Sequence, residues 1–314
     1  MTKPRTYPAF KSEEGRLAFA QAYAAALLSW PVPFEALDVP TRFGTTHVIA
    51  SGPADAPAVV LLHCMAGTAI VWRPNVAALS RRFRTYAVDI PGQPNLSVLT
   101  RPIRDRHEQA LWFTDLLDAL GAPSASIVGN SYGGFLALSQ ACLTPERVDR
   151  LILISPAGTF SPFGIGFYLR LIPSMVLNRD KGAAMRATEN GIPLDEDWKD
   201  LVALALKHGR MRNLRFAPKP LPVHELQRLK SPPLLIIGDK ELLYRPEEEL
   251  ALARRRAPGL EGAIAPNANH VAAMSNPALL NRWMLAKLCD DVVPDLPPAA
   301  FGGGGSYPLT PAAP

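Results

Sequence analysis

The sequence predicts an α/β fold, a mostly parallel sheet covered on both faces by helices and broken once by a helical insertion. Three observations predict it. Short apolar runs (Ala58–Leu62, Thr85–Asp89, Ser126–Val128, Leu151–Ile154, Pro233–Ile237) recur between helix-patterned stretches. A strand buried on both faces reads this way, because both of its side-chain rows meet apolar neighbours. One of these runs breaks into Gly129-Asn130-Ser131-Tyr132-Gly133-Gly134 and then into Phe135-Leu136-Ala137-Leu138, the pattern of a strand, a sharp turn and a helix. From Ala157 to Lys230 the alternation fails, which marks the insertion.

Taken in order, Ser12-Glu13-Glu14 reads as an N-cap with an acidic first turn. Leu17, Phe19, Tyr23, Ala24, Leu27 and Leu28 follow at roughly helical spacing, so a helix is expected to lie on the core with these residues inward. Phe34–Val39 and Thr45–Ser51 read as two strands turned at Arg42-Phe43-Gly44. Ala58–Leu62 is a buried strand that ends in His63-Cys64-Met65-Ala66-Gly67. Trp72–Leu79 is helical, and Thr85–Asp89 is a strand closed by the turn Ile90-Pro91-Gly92. A helix from His107 to Leu120 is stopped by Gly121-Ala122-Pro123, and Pro145–Val148 turns the chain into Leu151–Ile154. Within the insertion, Phe160, Phe163, Ile165, Phe167, Tyr168, Leu169, Leu171, Ile172, Met175 and Val176 precede a polar helical passage from Asp195 to His208. The apolar group can line an acyl pocket or bind the insertion to the core, and both readings stand. Pro233–Gly238 returns to the sheet, Gly262–Ala265 is a further strand, and Asn276-Pro277 caps a last helix through Leu288.

The bracketed serine is the centre of the functional reading. A nucleophile in a strained turn needs small residues two places to either side, and Gly129 and Gly133 supply them around Ser131. An acidic loop, Gly238-Asp239-Lys240-Glu241, and then a histidine, in Pro266-Asn267-Ala268-Asn269-His270, follow in chain order. With these residues the chain resembles the α/β-hydrolase superfamily, and within it the bacterial carboxylesterase-like serine hydrolases that carry a cap between strands six and seven. The likeness runs from about Phe34 to Leu288.

That resemblance implies a catalytic set of Ser131 as nucleophile, His270 as base and Glu241 as acid, with the backbone amides of Met65 and Tyr132 as oxyanion donors. Glu241 is favoured over Asp239 because the family places its acid three residues past the glycine. Cys64 stands where the family usually carries glycine, which puts the conformation of the 63–67 loop in question. His63 and Asp89 are read as structural. The domain division expected is a core of 1–156 and 231–290, a cap of 157–230 and a flexible Pro/Gly-rich tail of 291–314 that cannot pack a core, with Phe301 or Tyr307 as its candidate point of surface contact.

Composition narrows the function. At 314 residues, 48% of them hydrophobic, the chain can bury a large core as one domain plus an insertion. No apolar run is long enough to span a bilayer and the first residues lack an apolar signal core, so a cytoplasmic protein is expected. Cys64, Cys142 and Cys289 fit neither a disulfide framework nor a zinc site. The net charge of +5 gathers around Arg210, Arg212, Arg215 and Lys219 and at Arg254-Arg255-Arg256. The first cluster is interrupted by Leu214 and Phe216, and the second closes a helix whose start is acidic, so both are read as solvated faces and no nucleic acid is expected. No metal or organic cofactor is implied. The expected partner is a small, apolar acyl substrate, and self-association into a homo-oligomer is left open.

A serine nucleophile points away from haloalkane dehalogenases and epoxide hydrolases, which use a carboxylate. Ester hydrolysis is the reading favoured. A carbon–carbon bond hydrolase of aromatic ring-cleavage products, whose elbow Gly129-Asn130-Ser131 resembles, and a non-catalytic ligand binder of the same fold are the alternatives.

Overall fold

The computed structural model describes residues 6–162, 190–212, 217–257 and 259–291. The apolar group from Phe163 to Val176, Arg215, and the tail residues Phe301 and Tyr307 lie outside the described residues.

The sheet is built from β1 (Phe34–Thr41), β2 (Gly44–Ser51), β3 (Ala58–Leu62), β4 (Arg84–Val88), β5 (Val98–Leu99), β6 (Ala125–Asn130), β7 (Val148–Ile154), β8 (Leu234–Lys240) and β9 (Glu261–Asn269). Its order is β1-β2-β4-β3-β6-β7-β8-β9, with the two-residue β5 beside β2. β1, β2 and β4 pair antiparallel, and every pairing from β4 through β9 is parallel. β3 lies between β4 and β6, so the chain leaves it toward one side and returns on the other. The crevice beyond the carboxyl ends of β3 and β6 is where an open α/β sheet offers room for a ligand. The insertion follows β7, because the short β5, which the sequence reading did not anticipate, adds one to the strand count.

Side chains along the parallel strands alternate between two cores. Val59 and Leu61 enter one, with α2 (Arg73–Leu79) and the C-terminal helix Pro277–Leu288, while Val60 and Leu62 enter the other, with α3 (Arg106–Ala119) and α4 (Tyr132–Leu143). The continuous apolar runs thus have the cause expected of them.

The N-terminal helix α1 (Glu13–Leu27) starts at Ser12, whose hydroxyl accepts from the Gly15 amide. Its buried face is Gly15, Phe19, Tyr23 and Ala26, a stripe at intervals of three and four. Leu17 and Leu28, expected inward, are 47% and 89% exposed. The stripe is decided by α5 (Glu196–His208), a helix of the insertion, whose Trp198, Leu201, Val202 and Ala205 share a core with Phe10, Phe19 and Tyr23. Asp195 caps α5 at the Trp198 amide, and Arg73 ties Asp195 and Asp197 to the end of α1 through the Ala26 carbonyl and Ser29.

The triple arginine is not wholly a solvated face. In the helix Pro246–Arg256, Arg256 donates to the carbonyls of Phe160 (2.6 Å) and Leu221 (2.5 Å), near the two ends of the insertion, and Arg254 donates to Gly262 (3.0 Å). Arg256 thus holds two carbonyls that lie outside any strand or helix, and Arg254 one on β9, the last strand of the sheet order.

Gly15 offers a test of the contact between α1 and α5. In a helix interior Gly→Ala ordinarily stabilises by about 1 kcal/mol. A Cβ on Gly15, however, would lie 2.6 Å from Cβ of His208. Gly15→Ala is expected to destabilise the fold by about 1–3 kcal/mol instead, read from the urea midpoint; a rise in stability would contradict this packing.

Candidate active site

The turn between β6 and α4 is closed by glycines on both sides. A Cβ on Gly129 would lie 2.4 Å from the Gly133 carbonyl oxygen, and one on Gly133 would lie 2.2 Å from that of Leu62. Neither position has room for a side chain, so the helix start packs on the end of β3. Between them Ser131 takes φ 54, ψ −114, a conformation that costs an L-residue energy. Its amide donates to Ile154 O (2.9 Å) and its carbonyl accepts from Phe135 (3.1 Å) and Ala157 (3.0 Å), which holds it there.

The acid and the histidine leave the sheet side by side. β8 and β9 continue beyond their expected ends, and the last paired residues are Lys240 and Asn269. Glu241 and His270 are the next residue on each strand. The extension crosses an irregularity between Gly238 and Lys240, and Asp239 closes it, its carboxylate accepting from the amides of Asn267 and Ala268 at 3.0 Å each. Asn267 has a positive φ of 51° that these bonds help to hold. Asp239 is therefore engaged with the backbone leading to His270, and it is Glu241 that reaches the ring.

His270 Nε2 lies 2.8 Å from Ser131 Oγ, and His270 Nδ1 lies 2.8 Å from Glu241 Oε1. The Glu241 side chain is fully buried, and its Oε1 also accepts from the amides of Leu242 (2.6 Å) and Leu243 (2.8 Å). Burial alone would raise the Glu241 carboxyl. The charge and hydrogen bond of His270, with Ser155 and the Leu243 amide, outweigh it and bring the carboxyl below its ordinary value. Ser155, itself at φ 43, stands near the carboxylate without a hydrogen bond of ordinary geometry among the described residues. With the carboxylate on Nδ1, the ring presents Nε2 to the serine as an acceptor, an arrangement able to remove the hydroxyl proton.

Asn130, in the sequence only a point of likeness, has a positioning role: its side-chain amide donates to the carbonyls of Ile154 (3.0 Å) and His270 (3.1 Å), tying the elbow to the histidine. No local pattern signals such a bond, since its partners are 24 and 140 residues away.

The 63–67 loop is arranged otherwise than its cysteine suggested. Cys64 has no positive φ; Ala66 does, at 59°. Cys64 is buried with its thiol pushed up to about 12 by that burial, so it is no nucleophile. His63 is buried between the Cys64 carbonyl at Nδ1 (2.6 Å) and the Ile90 amide at Nε2 (2.9 Å), and burial lowers its pKa, favouring a neutral structural ring. Asp89 accepts from the Ala69 (2.9 Å) and Leu96 (3.1 Å) amides, a turn-holding role. Met65 is 38% exposed, and its amide makes no hydrogen bond among the described residues. Tyr132, buried, opens α4, whose N-terminus is the positive end of the helix dipole. A groove of about 510 Å³ lined by Pro31, Phe34, Gly52 and Arg84 lies at the opposite end of the sheet and takes no part in this site.

The lowered Glu241 pKa has a consequence for stability. A carboxyl whose folded value is depressed stabilises the fold above the unfolded value, about 4.3 for glutamate, and that contribution is lost as pH falls through the lower folded value. On acidification below about pH 5 the wild type should therefore lose more stability than Glu241→Gln, measured as urea midpoints from pH 7 downward. Parallel losses would contradict an ionised Glu241.

Residues 59–283 match the model of the alpha/beta hydrolase family. The chain is 34% identical over 297 residues to carboxylesterase YbfK of Bacillus subtilis, covering 90% of this chain and 97% of that protein. The crystal structure of the carboxylesterase CesB (YbfK) superposes with a TM-score of 0.81 at 33% identity, covering 89% of this chain and all of that one. A naproxen esterase (carboxylesterase NP) from Bacillus subtilis superposes with a TM-score of 0.80 at 31% identity, over 88% of this chain and 98% of that one. With its elbow at Ser131 and its parallel sheet, the chain belongs to the alpha/beta hydrolase family, as an enzyme similar to the bacterial carboxylesterases.

Proposed function

We propose that the protein hydrolyses carboxylic esters through a covalent acyl-enzyme on Ser131. The observation that carries this reading is the unbroken chain from Ser131 Oγ to His270 Nε2 and from His270 Nδ1 to Glu241 Oε1, each step 2.8 Å. His270 takes the serine proton as Oγ attacks the acyl carbon, and Glu241 holds the ring and stabilises the imidazolium that forms. The amides of Met65 and Tyr132 are the donors for the oxyanion, where negative charge develops in the transition state. Collapse of that intermediate passes the proton from His270 to the departing alcohol. Water, deprotonated by the same ring, then releases the acid and restores Ser131.

The residues from 157 to 230 act in this reading as a cap over an apolar acyl site. The identity to carboxylesterases over nine-tenths of the chain favours an ester over the carbon–carbon and binding-only alternatives. Since one solved relative is a naproxen esterase, a naproxen ester belongs in a substrate panel beside straight-chain acyl esters of graded length.

Ser131→Ala should fold as the wild type does and lose about 10⁶ in kcat on the best ester, with no labelling by a fluorophosphonate. Retained turnover in the folded variant would end the reading. Glu241→Gln should lower kcat by about 10⁴, and Asp239→Asn far less, because an amide oxygen can still accept from one of the two loop amides. The reverse ranking would assign the acid to Asp239.

A further inference from the structure

We infer that Gln93 is the positioning residue that sets the oxyanion amide of Met65, and that the insertion in turn holds Gln93 in place. The inference rests on the ester-hydrolase reading above and adds to it a residue outside the Ser131–His270–Glu241 chain. In the sequence Gln93 merely follows the turn Ile90-Pro91-Gly92. In the fold it is fully buried, and its Oε1 accepts from the Ala66 amide at 2.7 Å.

That bond falls where the loop needs holding. Ala66 is at φ 59, a left-handed conformation that alanine adopts at a cost and that glycine would take freely. The Ala66 N–H belongs to the peptide unit that follows Met65. Pinning this unit limits how the preceding one, which carries the Met65 amide, can turn. The Met65 amide itself is left without a partner among the described residues, as a donor reserved for an incoming oxygen would be. Accepting from an N–H also settles which end of the Gln93 amide is oxygen. The other end, Nε2, is buried without a partner among the described residues. A side chain selected only to fill space would not carry an unsatisfied buried amide, which is costly; the acceptor is what the position requires.

The turn bearing Gln93 is itself gripped from the insertion. The Arg212 amide donates to Gly92 O at 2.6 Å. Gly209, at the end of α5, packs so closely on Pro94 that a Cβ there would lie 2.1 Å from Pro94 Cγ. The residues on both sides of Gln93 are thus fixed by the segment 209–212. That segment is bound to the N-terminal stretch through the Arg210 amide and Ala9 O, at 2.8 Å. The seating of the insertion is transmitted through Gln93 and Ala66 to the Met65 amide.

The test compares wild type with Gln93→Met, which keeps the bulk but cannot accept the bond, and Gln93→Asn, which keeps the amide but draws it back by one carbon. For each, kcat and KM are measured on one ester, with affinity for an alkylboronic acid, which forms a tetrahedral adduct on the serine hydroxyl. Both variants should lose about 10- to 100-fold in kcat, less than deletion of an oxyanion donor, with KM within about twofold, and boronate affinity should fall by a similar factor. Ala66→Gly in the Gln93→Met background should recover several-fold, because glycine takes the left-handed conformation without being held. A folded variant with kcat within about twofold of wild type, or one in which KM alone rises, would overturn the inference. Failure of both variants to fold would reduce Gln93 to a packing residue and overturn it as well. A wild-type protein with no ester turnover would instead sink the hydrolase reading, and this inference with it.

Discussion

Ser131 stands at φ 54, ψ −114 at the mouth of β6, a conformation that a serine keeps only where its surroundings hold it, and the rest of the chain supplies that hold. Its amide is tied to Ile154 at the end of β7 and its carbonyl to the start of α4 and to Ala157. The bare Cα atoms of Gly129 and Gly133 let β6, α4 and the end of β3 converge to distances no side chain would allow. The strain raises Oγ above the sheet edge, and the sheet, buried on both faces, is stiff enough to sustain it.

The partners of the serine come from the adjoining strands by register. Lys240 and Asn269 are paired, so Glu241 and His270 emerge at one level, with the ring bridging the carboxylate and the hydroxyl. Asp239 contributes from one residue further back: by accepting the Asn267 and Ala268 amides it closes the strand irregularity and fixes where His270 begins. Two acids two residues apart thus do different work, one on the imidazole and one on the backbone that presents it.

Much of this was legible in the sequence because it depends on local requirements. A strand buried on both faces must be continuously apolar, and β3 appears with the limits Ala58–Leu62 that its run suggests. The elbow needs two small residues around its serine, and the order of serine, acid and histidine follows the order of the strands. What was not legible depends on contacts between distant segments. Leu17 and Leu28 looked inward by spacing, but α5 selects the face with Gly15, Phe19, Tyr23 and Ala26. By its apolar run β9 ends at Ala265; the Asp239 carboxylate bridges its irregularity at Asn267 and Ala268, and the pairing with Lys240 carries it on to Asn269. Asn130, Gln93 and Arg256 bond to carbonyls or amides that no pattern within their own stretch points to.

The loop that carries Met65 shows the same division. Cys64 stands where the family usually carries glycine, yet the left-handed residue is Ala66, two places on, and the cysteine fills core. The loop is held from outside, by Gln93, as Ser131 is held by β7 and α4. In the proposed mechanism this held serine becomes acylated. Acylation is read by mixing the protein with excess p-nitrophenyl ester, quenching in acid on the millisecond scale and weighing the intact chain and its peptides. The expected result is a gain equal to one acyl group, carried by the peptide containing Ser131, at stoichiometry approaching one when deacylation is the slower step. Ester turnover with the acyl group on another residue would contradict it.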